Sequence, residues 1–480
     1  MGKSFYRFRS ANNLLDGYSE LEKQTIYFAP PEQLNDPMEG YRDIYWSGDL
    51  VAWKNLFSHY VFCLERLSSL LLISGEDHKI NAEHIPVFGC TDDLPTDSYK
   101  KLFRKIKTRF LENKYVSSLI LSISKRSTPI RREELSFYYD CVHLPALKLI
   151  FDVYIEESLS QDSNRIDDKV FSGISDIVSK DFVGLLEKLI SDGKADQVVV
   201  NEIFKAKSHI KQQLNLIHKY NETISSSKPN KNLLMIEFPS LYLSRLEEIT
   251  FPKWYTSCFM SECKNSSVWG HYGNNHTGIC LIFDSEAIND KSYIKLNGIT
   301  GWGSSGPIYG DKIMEFHPIN YKKGFGEIDF FTSIGSLPIP VLNTMWYMDE
   351  AGNTSVCANK MNVDENAWRS NYWSNFIRDL TVKSKDWEYE NEYRLVLHSS
   401  IIDLSEKDRR TLTYDFSSLK GIIFGINTKE EDKLKTIKII EDKCNKYSRS
   451  DFKFYQAYYC SDENCIKSVE MSLVKFPGNV

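Results

Sequence analysis

The sequence predicts an α+β protein with a split mixed/antiparallel β-sheet core interrupted by a large helical insertion. Two observations carry this expectation. Short runs rich in aromatic and β-branched residues, with two-residue alternation, cluster before residue 41 and after residue 249. The interval between them is filled by apolar residues at three- and four-residue steps, the period of an amphipathic helix.

Residues 1–40 read as the first part of the sheet core. Tyr6-Arg7-Phe8-Arg9 and Ile26-Tyr27-Phe28 are predicted strands, and alternation sets Tyr6 and Phe8 opposite Arg7 and Arg9. Asn35-Asp36-Pro37-Met38-Glu39 has the pattern of a helix start, with Asp36 as N-cap, Pro37 at the first position and Glu39 closing a capping box. Residues 41–249 read as the mainly helical insertion. Its stripes, Leu185/Leu186/Leu189/Ile190 and Val200/Ile203/Phe204/Ile210/Leu214/Ile217, are expected to pack in a core, and Ser225 to Lys231 to form a loop. Residues 250–430 read as the second part of the core. Strands are predicted at Thr256–Phe259, Gly278–Asp284, Trp387–Leu397 and Leu419–Phe424, a short helical turn at Ser267–Gly273, an irregular Gly-rich stretch at Gly298–Gly310 and a helix over Trp368–Leu380. Residues 431–480 read as a last helix, around Leu434–Ile440, and a tail packed on the core.

The 480 residues, with 42% hydrophobic, 26% charged and 13% aromatic content, imply a folded chain of more than one domain. A net charge of −6 supplies no basic field for nucleic acid, which is therefore not indicated as a partner. No secretory leader and no run of ~18 unbroken apolar residues is seen, so no membrane partner is expected and a cytoplasmic location is. Ten scattered cysteines suit a reducing compartment. Cys258, Cys263, His271 and His276 have zinc-ligand chemistry but not the spacing of a zinc site, and no metal is expected. No nucleophile elbow, complete P-loop or His-Glu-x-x-His motif directs the reading to serine hydrolases, P-loop ATPases or zinc proteases.

Several pieces, in one order, carry a resemblance: Tyr6-Arg7-Phe8-Arg9-Ser10, Asn35 to Glu39, Cys258-Phe259-Met260-Ser261, Trp269-x-His271-Tyr272, His276-x-Gly278-Ile279-Cys280, Lys383, Trp387 to Arg394, and Ile422-Ile423-Phe424-Gly425. Together they resemble a bacterial family known only as domain of unknown function 2971, which implies no activity. A fainter resemblance is to the ADP-ribosyltransferase fold, in which an early strand carries Arg or His, a middle segment carries aromatic residues and a late strand carries a Glu, often as Glu-x-Glu. Arg7 or Arg9, the Trp269–Tyr272 turn and Glu390-x-Glu392 follow that order, while Thr256-Ser257-Cys258 stands where that fold has Ser-Thr-Ser.

This second resemblance implies cleavage of the nicotinamide–ribose bond, with NAD as candidate co-substrate, a nucleotide as small-molecule ligand and an unidentified acceptor. Such cleavage develops an oxocarbenium-like sugar, which a fixed carboxylate stabilises. Glu392 is the candidate for that charge, and Glu390 for orienting or deprotonating the attacking group. Arg7 and Arg9 would clamp pyrophosphate, Trp269 and Tyr272 would stack on a ring, and His271 and His276 would supply acid, base or hydrogen bonds. Two other readings remain: a non-catalytic ligand- or protein-recognition module of a bacterial stress or defence system, and a carboxylate-based hydrolase of a sugar or nucleic acid. The hydrolase needs Asp36 or Glu39 near Glu390. The bland reading of Arg394 is an ordinary cross-strand ion pair, and that of Trp269 and Tyr272 is core packing.

Overall fold

A computed structural model describes residues 2–162, 165–222 and 228–476. It is a mixed α+β protein with open mixed sheets. Two compact units form. The first comprises Met1–Tyr41, Lys253–Gly326 and Ile377–Val480, and the second Arg42–Pro252 and Glu327–Phe376. Residues 327–376, which the sequence reading had assigned to the sheet core, thus pack with the helical unit.

The first unit is built on an eight-stranded sheet. Its strands are β1 (Ser4–Arg9), β2 (Trp254–Met260), β3 (Ile279–Asp284), β4 (His317–Pro318), β5 (Glu392–His398), β6 (Leu419–Phe424), β7 (Lys453–Cys460) and β8 (Cys465–Glu470). The order is β4-β5-β2-β1-β3-β6-β7-β8, antiparallel except for the β6–β7 pair. The first strand of the chain therefore lies at the centre, between strands from residues 254–260 and 279–284. The register sets Tyr6 opposite Met260 and Met260 opposite Glu392, so one layer of side chains runs across β1, β2 and β5.

Alternation divides the sheet into two faces. One carries Phe5, Phe259, Leu281, Phe283, Leu395, Leu397, Ile422 and Phe424, and buries them against helix Glu430–Lys446 and a second sheet. That five-stranded sheet pairs Thr25–Tyr27, Thr411–Tyr414 and Lys291–Gly303, with Glu286–Ile288 and Gly306–Glu315 beside the last. The other face carries Phe8, Met260, Trp269, Cys280, Ile282 and Ile423.

Three local expectations change. The Gly-rich stretch Gly298–Gly310 is part of a long hairpin, not an irregular loop. Glycine is needed there for close approach, since a Cβ at Gly298 would lie 2.8 Å from the Leu412 side chain. The Gly-x-Gly-x-x-Gly spacing at Gly301–Gly306 lies at the tip of this hairpin, and the strand–turn–helix setting of a dinucleotide loop is missing. Asn35–Glu39 starts no helix: the Asp36 carboxylate accepts from the Met38 amide at 2.9 Å, as in a turn, and Gly40 leaves it at φ +77°. The segment after the last helix is a pair of sheet strands, β7 and β8, rather than a tail.

The second unit is mainly helical. Its principal helices are α1 (Leu50–Ser74), α2 (Asp97–Glu112), α3 (Lys114–Ser124), α4 (Arg132–Glu156), α5 (Ser172–Ser179), α6 (Phe182–Ser191), α7 (Gln197–Glu222) and α8 (Phe238–Leu246). A three-stranded sheet of Glu327–Asp329, Asp43–Trp46 and Ile130–Arg131 accompanies them. Helix α1 is long and apolar enough to cross a membrane by length and composition, yet 61% of its most apolar window is buried inside the protein, as in a core helix. Its Tyr60 packs against Tyr139 and Tyr242. Of the loop expected over Ser225–Lys231, residues 225–227 lie outside the described residues, and Pro229–Asn232 forms a helical turn. Only a third of the expected core stripe of α7 is buried: Val200 and Phe204 are in the core, whereas Ile203, Ile210, Leu214 and Ile217 are exposed.

Candidate functional site

On the Phe8/Met260 face of the first unit, the β2–β5 register places Glu392 opposite Met260 and Arg394 opposite Cys258. Both charges face the same side because they are two residues apart on one strand. Burial of such groups needs partners, and two further segments bring them.

The turn after Pro37 presents Glu39, whose carboxylate receives the Arg394 fork at 2.7 Å and 2.5 Å. Arg394 also donates Nε to Glu392 at 2.8 Å and Nη1 to the Leu380 carbonyl at 2.9 Å. Lys383, just before β5, donates to Glu390 at 2.7 Å and to Glu392 at 3.2 Å, with Glu39 at 3.8 Å. The Tyr272 hydroxyl donates to the other Glu390 oxygen at 2.7 Å. The Tyr321 hydroxyl accepts the Glu392 amide at 2.9 Å. The five charged side chains are each 4% exposed or less.

Three carboxylates thus meet two cations, which leaves one negative charge in excess. The imbalance splits the two neighbouring acids. Burial raises Glu390 above the ordinary carboxylate range, and Glu392 adds to this, while Lys383 opposes it. For Glu392 burial acts the same way, but Arg394 and then Lys383 outweigh it and hold the carboxyl down at about 2. Lys383 stays charged, since the two glutamates offset its burial, and burial with Glu392 pushes the Cys258 thiol up.

Glu390 is not on the strand, contrary to the sequence expectation. Ser384 caps a 3₁₀ turn over Lys385–Glu390, Asn391 takes a left-handed φ of 45°, and the strand starts at Glu392. The turn folds Glu390 back onto Lys383, whose ammonium sits 4.5 Å from the Trp387 ring centre. Half-buried Tyr272, Tyr321, Trp387 and Tyr389 border the cluster, and exposed His271 meets the Tyr389 hydroxyl through Nδ1 at 3.2 Å.

The structure therefore brings together Glu390, Glu392 and Tyr272, with His271 on the rim. It does not bring in Arg7 and Arg9. They project to the opposite sheet face, where both pair with buried Glu20 and Arg7 stacks on Phe259, because odd and even positions of β1 face opposite ways. Trp269 is 1% exposed, donates its indole N–H to the Cys263 carbonyl at 2.8 Å and packs edge-on to Phe8, so it is a core residue and not an open stacking surface. His276 follows Asn274 and Asn275 in a run of positive φ and is tied by backbone bonds to Trp269 and Asn427. Among the described residues, no group of three or more His, Cys, Asp or Glu side chains is arranged to hold a metal ion.

Sequence reasoning left Lys383, Tyr321 and Arg394 out of the site and named Glu39 only as a requirement of the hydrolase reading. Glu39 was assigned to a capping box, and only the long-range pairing with Arg394 reveals its use. A signal for Lys383 existed, in its place among the motifs that carried the family resemblance. No curated protein and no solved structure matches the chain. Residues 268–395, which include Tyr272, Tyr321, Lys383, Glu390, Glu392 and Arg394, match the family described as Protein of unknown function (DUF2971).

Proposed function

We propose that the first unit is an enzyme that cleaves the bond between a ribose and its leaving group, with the nicotinamide–ribose bond of NAD as the leading substrate. The observation that carries this reading is the pair Glu390 and Glu392, bridged by Lys383 yet driven to opposite protonation behaviour. Paired acids held apart in this way divide into a proton-transfer group and a fixed charge. Glu392 supplies the negative charge that stabilises an oxocarbenium-like sugar, and Glu390 exchanges a proton with the water or acceptor. Tyr389, Trp387 and His271 offer the accessible rings for a flat leaving group. An ADP-ribosyltransferase-like core fits these roles in part, but without Arg7 and Arg9 as the pyrophosphate clamp.

Incubation of the purified protein with labelled NAD and candidate acceptors tests the reading. Wild type releases nicotinamide, and Glu392→Gln and Glu390→Gln lose this activity. Failure of the wild type to cleave, transfer or bind NAD removes the proposal.

A carboxylate hydrolase acting on a sugar or nucleic acid is supported by Glu39, which reaches the same lysine as Glu390. A non-catalytic recognition module is supported by the engagement of every buried charge in ion pairs, which leaves mostly aromatic groups at the rim. It predicts ligand-induced stabilisation without turnover, reduced by Trp387→Ala.

A further inference from the structure

Strands β7 and β8 form a hairpin at one edge of the eight-stranded sheet. Their register sets Tyr459 opposite Ile466 and, at the closed end, Cys460 directly opposite Cys465. Both cysteines carry free thiols and are partly exposed. The turn between them, residues 461–464, is exposed throughout, and Asn464 takes a left-handed φ of 53° there while its side chain accepts from the Tyr459 hydroxyl.

Two residues directly opposed in an antiparallel pair have Cα atoms roughly 4.5–5.5 Å apart, within the span of about 4.4–6.8 Å that a disulfide bridges. Alternation aims both side chains to one side of the hairpin, away from the face that buries Ile466. The backbone thus already holds the two thiols in the arrangement a bridge requires. The other cysteines differ. Cys63, Cys280, Cys357 and Cys444 are buried, and the strand pairs of the sheet oppose no other two cysteines. Burial pushes up the thiols of Cys90, Cys141, Cys258 and Cys263, to about 12 in Cys141 and about 11 in Cys263, which withholds the thiolate that attacks an oxidant.

We propose that Cys460 and Cys465 are a reversible modification site, a dithiol that a peroxide converts into a cross-strand disulfide. One thiolate attacks a peroxide oxygen, the O–O bond breaks, and water leaves with a sulfenic acid on that sulfur. The facing thiol displaces the hydroxyl as a second water, and the S–S bond forms. The two sulfurs lose two electrons and two protons, which reduce hydrogen peroxide to two waters, and a thiol reductant reverses the step. The bond lies where it braces the candidate site. β8 is an edge strand, and its Ile466 amide donates to the Lys264 carbonyl at 2.9 Å. The next residue, Asn265, donates its side-chain amide to the Tyr389 carbonyl at 3.3 Å, on the rim of the carboxylate cluster. A bridge at the closed end fixes the strand that supports this loop.

The test treats the full chain with a small excess of hydrogen peroxide and counts thiols after denaturation. Ten are expected before treatment and two fewer after it, both restored by dithiothreitol. Proteolysis after Glu463 separates the two cysteines unless they are bridged, so the oxidised hairpin fragments should stay joined until reduced. Cys460→Ser and Cys465→Ser should each abolish the link with unchanged far-UV circular dichroism, and in at least one of them the surviving cysteine should stop at a sulfenic acid that dimedone captures. Cys263→Ser should keep the link. An unchanged thiol count in wild type, or a link that joins Cys263 or any other cysteine in place of this pair, overturns the proposal.

Discussion

Arg394 and Glu39 meet through two hydrogen bonds, 2.7 Å and 2.5 Å long, although 355 positions separate them in the chain. The same guanidinium holds Glu392 and the Leu380 carbonyl, so one planar fork ties the turn at Glu39, the Leu380 backbone and β5 together. Arg394→Lys keeps the charge but cannot reach all three partners. It is expected to destabilise the protein by roughly 3–5 kcal/mol, the cost of breaking a buried pair, in urea unfolding at neutral pH.

Glu392 and Glu390 should respond unequally to the same neutral replacement. The surroundings favour the Glu392 charge strongly, so Glu392→Gln is expected to lose about 3 kcal/mol. The surroundings oppose the Glu390 charge, so Glu390→Gln should change stability by less than about 1 kcal/mol. Equal losses in denaturant midpoint would contradict this division.

The same contrast sets the pH dependence. A depressed carboxyl stabilises above its unfolded value of about 4.3 and loses that contribution as pH falls toward the folded value, which for Glu392 is about 2. A raised carboxyl stabilises below its unfolded value and loses the contribution as pH rises through its folded one, and Glu390 belongs to this class. Stability measured from strongly acidic to neutral pH should therefore show an acid-side fall that Glu392→Gln removes. It should also show a decline above the unfolded carboxyl value that Glu390→Gln removes.

Tyr272→Phe deletes the hydroxyl that donates to Glu390 and favours its ionised form. In the proposed reaction, the limb of the rate–pH profile set by Glu390 moves to higher pH. An unmoved limb would assign proton transfer to another group.

Arg9 donates two hydrogen bonds to Glu20 on the far side of the sheet. Arg9→Ala should cost about 1–3 kcal/mol in stability, because Glu20 is buried and loses a charged partner. NAD cleavage per folded molecule should be unchanged, the opposite of what a pyrophosphate clamp requires.

The sequence by itself determined the two faces of β1 and of β5. Two-residue alternation at Tyr6–Arg9 and at Arg394–Leu397 appears unchanged in the sheet, because a half-buried pleat demands it. It also singled out Glu390 and Glu392 and the likeness to an uncharacterised family. Alternation cannot state which strands are neighbours, and that was decided only by tertiary pairing. With β1 inserted between β2 and β3, Arg7 and Arg9 face Glu20 instead of Glu392. Glu39 left a capping role that local pattern assigned it because a buried guanidinium offered a charged partner, a stronger interaction than an exposed backbone amide. In α7, apolar spacing announced a helix with one buried face, yet only packing showed that the isoleucines stand outside it, since periodicity carries no record of what covers a stripe.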